Sequence, residues 1–169
     1  MIIRHAQPSD TESIMLIIAD AQRFLRDCDV DQWQDGYPTT EIIRSDIDQG
    51  YSYVATMESD EVVAVAAISF DGEPTYDTIR NGAWPNNEPY AVIHRLAVSD
   101  TVRSKGVAKA MFAFMEELCH QRNIRNIRVD THADNRVMQR LLEGLGYDKC
   151  GEITLTSGAS RIAYIKTQD

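Results

Sequence analysis

The sequence predicts an α+β fold in which helices pack against a mixed β-sheet. Apolar and polar residues alternate in several short segments, which is typical of strands, whereas other segments repeat apolar residues every three or four positions, which is typical of helices. The predicted order is an antiparallel meander followed by strand, helix, strand, helix and strand. The chain has 169 residues, of which 43% are hydrophobic. This size favours one domain, over residues 1–169, with one core.

The N-terminal half is predicted to contain three strands and two helices. The strands are 1–5, 51–57 and 62–70, the last two joined by a hairpin turn at 58–61. Ser9 or Asp10 suits the N-cap of the first helix, and Thr39 or Thr40 suits that of the second, which ends at Gly50. Residues 27–38 break the helical period and form a loop. Residues 71–89 form a long loop, which in a compact domain is usually functional or mobile, with a short strand or turn near Tyr76.

The C-terminal half alternates strands and helices. Strands are predicted over 90–98, 125–131, 147–156 and 161–166, and helices over 105–122 and 134–145. The first of these helices has an apolar stripe formed by Ala108, Met111, Phe112, Met115, Leu118 and Cys119. The second has inward positions Val137, Met138, Leu141, Leu142 and Leu145, and Gly146 ends it. The last two strands form an antiparallel pair around Ser157-Gly158.

Composition narrows the range of functions. The net charge of −9 disfavours nucleic acid as a partner, because phosphate binding needs basic patches, and it mildly favours cationic small molecules. No apolar run approaches the 18 or so residues that a membrane span needs, and the N-terminus lacks the apolar core of a signal peptide. The three cysteines have no C-x-x-C spacing. Reduced thiols in a cytoplasmic protein, with no metal site, are the simplest interpretation.

An anion-binding turn is predicted between the strand at 90–98 and the following helix. Arg103, Gly106 and Ala108 stand in the pattern R-x-x-G-x-A. The first N–H groups of a helix lack intrahelical partners and carry partial positive charge, and small residues let a phosphate approach the backbone. The amides of residues 104–108 are therefore expected to bind a pyrophosphate, with charge added by Arg103 and Lys105. A solvated side-chain pair is the alternative for Arg103 and Lys105.

This pattern, placed directly after Ile93-His94-Arg95-Leu96-Ala97-Val98, resembles the acyl-CoA pyrophosphate loop of the GNAT superfamily of N-acetyltransferases. Asn135 and the segment 141–147 resemble the superfamily's N-x-x-x-x-x-L-Y-E-x-L-G-F pattern, with Leu142 in the place of the usual Tyr and Tyr147 in that of the usual Phe. The resemblance covers about residues 60 to 167. Residues 1–59 are consistent with it in pattern.

The resemblance implies a mainly antiparallel, twisted sheet flanked by about four helices. It also implies that the central strands splay apart after Leu96-Ala97-Val98 and that the pantetheine arm of acetyl-CoA lies in that opening. The Val98 N–H would lie near the thioester oxygen, where a fixed donor stabilises developing charge. The implied cofactor-binding residues are Leu96, Ala97, Val98, Arg103, Ser104, Lys105, Gly106, Val107, Ala108 and Asn135. Because Asn135 stands at the start of a predicted helix, an N-cap is the alternative interpretation for it.

His94 is the predicted catalytic residue. By the two-residue period of a strand it shares a face with Val92, Leu96 and Val98. An imidazole can accept the proton of an attacking amine. Some GNAT enzymes for arylalkylamines carry histidines on this strand, and others carry a Glu where this chain has Val92. A core histidine bonded to a backbone carbonyl is the alternative interpretation.

The sequence therefore predicts an acetyl-CoA-dependent N-acetyltransferase that acts on a primary amine by direct attack. The expected partners are acetyl-CoA and the amine acceptor, without nucleic acid or membrane, and a homodimer is also considered. Leu142 cannot protonate the leaving CoA thiolate, so Tyr147 or Tyr164 would have to substitute if a side chain does so. Two alternatives stay open: an acyl-CoA-binding sensor or inactive relative, and an acetyltransferase for protein N-termini or lysines.

Overall fold

The structure is a computed structural model that describes residues 1–168. The strands are β1 (Ile2–His5), β2 (Ser52–Thr56), β3 (Val62–Ser69), β4 (Ile79–Arg80), β5 (Tyr90–Val98), β6 (Asn126–Thr131), β7 (Asp148–Thr154) and β8 (Ser160–Thr167). The helices are α1 (Thr11–Asp27), α2 (Thr40–Asp48), α3 (Val107–Gln121) and α4 (Arg136–Gly144). Single 3-10 turns lie at Pro8–Asp10, Pro74–Tyr76 and Asp100–Val102. The predicted α+β class with a mixed, mainly antiparallel sheet and four helices is confirmed.

The chain divides into two compact units. Unit 1 contains Met1–Ile68 and His94–Met115, and unit 2 contains Ser69–Ile93 and residues 116–168. The single domain over 1–169 stays a prediction.

In unit 1 the hydrogen-bonded strand order is β1, β2, β3 and β5. The β1–β2 and β2–β3 pairs are antiparallel. The Ser99 N–H donates to the Val63 carbonyl at 2.8 Å, which fixes the chain just beyond the end of β5. Both helices turn their apolar faces to these strands, and the core contains Ala6, Ile14, Ile17, Ile18, Ile43, Val54, Val65 and Ala97.

The cap of α2 is as predicted, whereas at the start of α1 the predicted residue Asp10 is in place without a side-chain cap bond. The Thr39 hydroxyl accepts from the Ile42 N–H at 3.4 Å, which satisfies one of the free donors at the start of α2. Asp10 occupies the N-cap position of α1 but makes no side-chain cap bond. Its carboxylate instead accepts from Arg4 at 2.7 and 3.0 Å and from the Gln7 N–H at 2.7 Å. A charged, two-point partner from β1 thus replaces the local cap.

In unit 2 the strand order is β5, β6, β8, β7 and β4. β5 and β6 are parallel, and the other neighbouring pairs of this unit are antiparallel. The register pairs of β5 with β6 run from Tyr90–Asn126 to Val92–Arg128. The pairing therefore ends before Leu96, earlier than the predicted separation after Leu96-Ala97-Val98. The predicted pairing of the last two strands is confirmed.

The long segment 71–89 is part of unit 2 and packs against the strands of that unit. Tyr76 is 1% exposed, and its hydroxyl donates to Asp130 Oδ2 at 2.8 Å. The Trp84 indole N–H donates to the Tyr76 carbonyl at 2.8 Å, and the short strand β4, in keeping with the short strand or turn predicted near Tyr76, pairs with β7. A Cβ on Gly82 would lie 1.9 Å from the Cys150 carbonyl oxygen, so only glycine permits this approach. Most of the segment is thus held by specific contacts.

The apolar stripes of α3 and α4 are confirmed only in part. Met111, Phe112, Met115 and Cys119 of α3 are fully buried. In α4, Leu142 is buried, but Val137, predicted to face inward, is 59% exposed. Since Asn135 caps this helix at its first turn, Val137 falls within that turn, on the solvent side.

All three cysteines lie within residues 1–168, and Cys119 among them is fully buried. Cys28, Cys119 and Cys150 are free thiols. Burial raises the pKa of the Cys119 thiol to about 12, which makes it a poor nucleophile at neutral pH. None of the helices within residues 1–168 is both long and apolar enough to cross a membrane.

Candidate active site

The turn between β5 and α3 lies in unit 1 and has two left-handed residues. Ser99 Oγ accepts from the Thr101 N–H at 3.3 Å and starts the 3-10 turn. Ser104 then has φ +66° and Gly106 has φ +82°. These bends postpone the start of α3 from the predicted Lys105 to Val107. Glycine suits the second bend because it has no Cβ to resist a positive φ.

The surface above this turn is open. Ser104, Lys105 and Gly106 are exposed, and a Cβ added to Gly106 would meet no atom within 4 Å. Val107, which is buried, begins a 15-residue helix whose first N–H groups have no intrahelical acceptor. Open backbone donors at the positive end of a helix dipole form a site suited to an anion such as a pyrophosphate.

The cationic side chains of the turn are already engaged. The Arg103 guanidinium donates to Asp100 Oδ1 and lies 4.0 Å from the centroid of the Phe24 ring. Arg23 also donates to Asp100, at 3.3 Å. Lys105 Nζ donates to the Thr101 carbonyl at 3.1 Å. These side chains would have to exchange partners to bind an anion, and so would the Lys105 N–H, which donates to the Val102 carbonyl at 3.2 Å.

β5 contains a backbone irregularity at Arg95, whose φ is +54°. A left-handed conformation costs a residue with a Cβ about 1–2 kcal/mol. It also interrupts the two-residue alternation of side chains, so the predicted shared face of His94 with Leu96 and Val98 does not follow from the strand period. His94, Leu96 and Val98 are half-buried, and Ala97 is buried.

The side chain of Arg95 is held by two residues that the sequence analysis did not connect with it. Arg95 Nε and Nη2 donate to the two Asp46 carboxylate oxygens at 2.6 and 2.7 Å, and Nη1 donates to the Tyr37 hydroxyl at 2.7 Å. The Arg95 and Asp46 side chains are 14% and 7% exposed. Burial disfavours the guanidinium charge, but Tyr37 and Asp46 more than offset it and raise the Arg95 pKa above its usual value. The feature of the sequence that could have indicated this buried ion pair is the arginine inside the largely apolar run I-H-R-L-A-V.

Tyr37 belongs to the loop between α1 and α2, which the Arg95 contact orders. The Gln22 amide donates to the Tyr37 carbonyl at 2.9 Å, and Trp33 packs against the core of unit 1. The acidic residues of this loop, Asp29, Asp31 and Asp35, are exposed. The loop is therefore anchored by its aromatic residues, and its carboxylates face solvent.

Unit 2 contains the remaining residues considered from the sequence. Asn135 Oδ1 accepts from the Met138 N–H at 3.1 Å, so Asn135 caps α4 as one of its two interpretations required. The Tyr147 hydroxyl donates to Glu116 at 3.2 Å and that of Tyr164 to Glu143 at 3.5 Å. Burial raises the pKa of both tyrosines, and these carboxylates raise it further. Such hydroxyls are weak acids and do not suit protonation of a thiolate.

Within residues 1–168 no group of three or more His, Cys, Asp or Glu side chains is placed to hold a metal ion.

Comparisons with known proteins agree with this geometry. Residues 18–147 match the acetyltransferase (GNAT) family. The chain is 35% identical to a GNAT-family acetyltransferase from Streptococcus agalactiae, with 99% of this chain and 95% of that one covered and a TM-score of 0.88. A GNAT-family acetyltransferase from Listeria monocytogenes is 20% identical, with 98% and 94% covered and a TM-score of 0.74. The NatC complex bound to Gag peptide and CoA contains a chain that is 16% identical, with 99% and 98% covered and a TM-score of 0.71. A search of curated proteins finds no match.

Proposed function

This chain belongs to the GNAT acetyltransferase family, and on that premise we propose that it transfers an acetyl group from acetyl-CoA to a primary amine. The observation that carries the proposal is the open turn at residues 103–108. It presents the first amides of α3 directly after β5, in the family's R-x-x-G-x-A pattern. The acceptor proposed is a small amine or an amino-acid-like molecule.

In the proposed complex the pyrophosphate binds the amides of residues 104–108. Arg103 adds charge to it after release from Asp100, and Lys105 after release from the Thr101 carbonyl. The backbone of Leu96, Ala97 and Val98 pairs with the pantetheine arm, and the Val98 N–H donates to the thioester oxygen as it gains charge. The family pattern adds Asn135 as a contact of the pantetheine arm.

The proposed reaction is direct attack of the amine on the thioester. His94 accepts the proton of the ammonium, directly or through water, so that the neutral amine forms the C–N bond. The nitrogen of the adduct loses its second proton to water, and the C–S bond breaks. The CoA thiolate takes a proton from water, because Leu142 has none to give and Tyr147 and Tyr164 are bound to carboxylates. The net release is the one proton that His94 accepted. No covalent acyl-enzyme is formed, and the buried Cys119 thiol is not a nucleophile.

One alternative function has observations in its favour. Leu142 and Val92 are both fully buried and replace an acid and a base that other family members carry. A chain without them could bind acyl-CoA as a sensor without turnover.

A second alternative is acylation of protein N-termini or lysines, in keeping with the peptide bound in the NatC structure. A cytoplasmic location, a homodimer, and the absence of metal, nucleic acid and membrane partners remain predictions.

Substitution of His94 tests the mechanism. His94→Ala should lower turnover by roughly 10²-fold or more while the dissociation constant of acetyl-CoA stays near the wild-type value, because only the proton transfer is lost. His120→Ala, at an exposed position near the end of α3, is the matched control and should leave turnover unchanged. Equal losses of binding and turnover in His94→Ala, or unfolding, would favour a structural histidine.

A further inference from the structure

The cluster formed by Arg95, Asp46 and Tyr37 joins three separate segments of unit 1. Arg95 lies in β5, Asp46 in α2 and Tyr37 in the loop between α1 and α2. Both carboxylate oxygens of Asp46 accept from Arg95, at 2.6 and 2.7 Å. The third contact, from Nη1 to the Tyr37 hydroxyl at 2.7 Å, completes a planar set of donors around the guanidinium.

The backbone of the same arginine is in the conformation that a residue with a side chain least favours. Arg95 has φ +54° in the middle of a nine-residue strand. Such a residue persists only when its surroundings determine it. A buried, two-point ion pair supplies that constraint, because the guanidinium cannot follow the backbone into an extended conformation without leaving Asp46.

The position of the irregularity gives it a role. It lies directly before Leu96, Ala97 and Val98, whose main-chain groups are proposed to pair with pantetheine. A change at Arg95 from a left-handed to an extended conformation would reverse the direction in which the following N–H and C=O groups point.

From these contacts we infer that Arg95, Asp46 and Tyr37 are positioning residues. They hold the backbone of 96–98 in the direction needed for pantetheine and order the loop that carries Tyr37 at the same time. The inference rests on the proposed function. The three side chains are not proposed to contact substrate. Their hydrogen bonds run to one another, so the cluster should affect binding of the pantetheine arm by the strand and not binding of the phosphates by the turn at 103–108.

The test compares two ligands. Acetyl-CoA carries the pantetheine arm, whereas adenosine 3′-phosphate 5′-diphosphate carries the same nucleotide, 3′-phosphate and pyrophosphate without that arm. Isothermal titration calorimetry of both gives the ratio of their dissociation constants, which measures what the pantetheine arm contributes. For the wild-type protein we expect acetyl-CoA to bind about tenfold or more tightly, which is the gain in affinity that two backbone hydrogen bonds would give.

Two variants loosen the cluster to different degrees. Asp46→Asn removes the charge partner and should reduce the ratio to near one, while the affinity for adenosine 3′-phosphate 5′-diphosphate stays within about twofold. Tyr37→Phe removes one hydrogen bond without leaving a buried charge, and should reduce the ratio by a smaller factor. Tyr37→Phe keeps the test valid if Asp46→Asn does not fold.

Asp10→Asn is the matched control. The Arg4–Asp10 pair in the same unit is also two-point, at 2.7 and 3.0 Å, and Asp10 is also buried. This variant should lose stability and keep the wild-type ratio. A pair of backbone variants adds a second check. Arg95→Gly permits the positive φ and should keep part of the ratio, whereas Arg95→Ala should lose it.

The outcomes separate the two proposals. If Asp46→Asn and Tyr37→Phe keep the wild-type ratio, or lose affinity for both ligands equally, the positioning role is wrong and the proposed function stands. If the wild-type protein binds neither ligand, the proposed function is wrong, and the positioning role with it.

Discussion

Replacing Gly106 by glutamate tests the phosphate site with a magnitude that the structure supplies. A Cβ at this position meets no atom within 4 Å, so the folding cost is that of the backbone alone. For φ +82° this cost is about 1–2 kcal/mol. In a chain of this length 1 kcal/mol shifts the melting temperature by about 2–4 °C, so the variant should melt about 2–8 °C below the wild type.

The ligand effect is separate from this cost. Acetyl-CoA at 100 times its dissociation constant stabilises the wild-type protein by about 2.7 kcal/mol, a rise of about 5–11 °C in the melting temperature. In Gly106→Glu the carboxylate stands where the phosphates would bind, and the rise should vanish. Differential scanning fluorimetry with and without acetyl-CoA measures both quantities.

Gly50 provides the matched control for this variant. It also has a positive φ, +72°, and a Cβ there also meets no atom within 4 Å. Gly50→Glu should therefore lower the melting temperature of the free protein by a similar amount and keep the full rise with acetyl-CoA. A full rise in Gly106→Glu would refute the phosphate assignment.

Three further predictions concern Arg103, Leu142 and Asp10. Asp100→Asn should release Arg103 for the pyrophosphate and tighten acetyl-CoA binding by about two- to fivefold, which is the range of an exposed ion pair. Calorimetry at low salt measures this change in the dissociation constant. Weaker binding would contradict the exchange of partners. Leu142→Tyr should lower the free energy of unfolding, measured in urea, by about 1–3 kcal/mol because Leu142 is 0% exposed, and acetyl-CoA binding should be retained. Unchanged stability together with a new dependence of turnover on high pH would instead place this side chain at the CoA sulfur. The hydrogen bond from Arg4 lowers the pKa of Asp10, so this pair stabilises the fold above the unfolded-state pKa of about 3.9, and the stabilisation is lost as the pH falls below that value. Asp10→Asn should therefore reduce the dependence of the unfolding free energy on pH between about pH 5 and 2. An unchanged dependence would contradict this role of the pair.

The features that the sequence predicted correctly depend on local chemistry. Thr39 and Asn135 cap the helices that follow them because each oxygen reaches an N–H three residues on. The glycine after α4, Gly146, has the positive φ expected of a helix stop. The elements of the fold and the position of the turn between β5 and α3 follow from such signals together with apolar periodicity.

The features that the sequence did not predict depend on partners distant in the chain. Strand β4 was predicted only as a short strand or turn near Tyr76, because its two residues are too few for a period, and β7 supplies its hydrogen bonds. Asp10 lies at the predicted cap position, but its carboxylate binds Arg4, a stronger, charged partner, and not the N–H groups of the helix. The sequence shows an arginine in a largely apolar run, but not its left-handed backbone or its partners, since only the fold brings Asp46 and Tyr37 to its side chain.

The central claim is transfer of an acetyl group, and it is tested by incubating the purified protein with acetyl-CoA and a panel of primary amines. The panel should include polyamines, arylalkylamines, amino acids and short peptides with free N-termini. Thiol release and the mass of the acceptor are followed together. For at least one amine we expect CoA release that depends on the acceptor, a matching gain of one acetyl group, and loss of both in Gly106→Glu. Acetyl-CoA binding with no acetylated product from any amine would exclude acetyl transfer to these acceptors and favour a sensor.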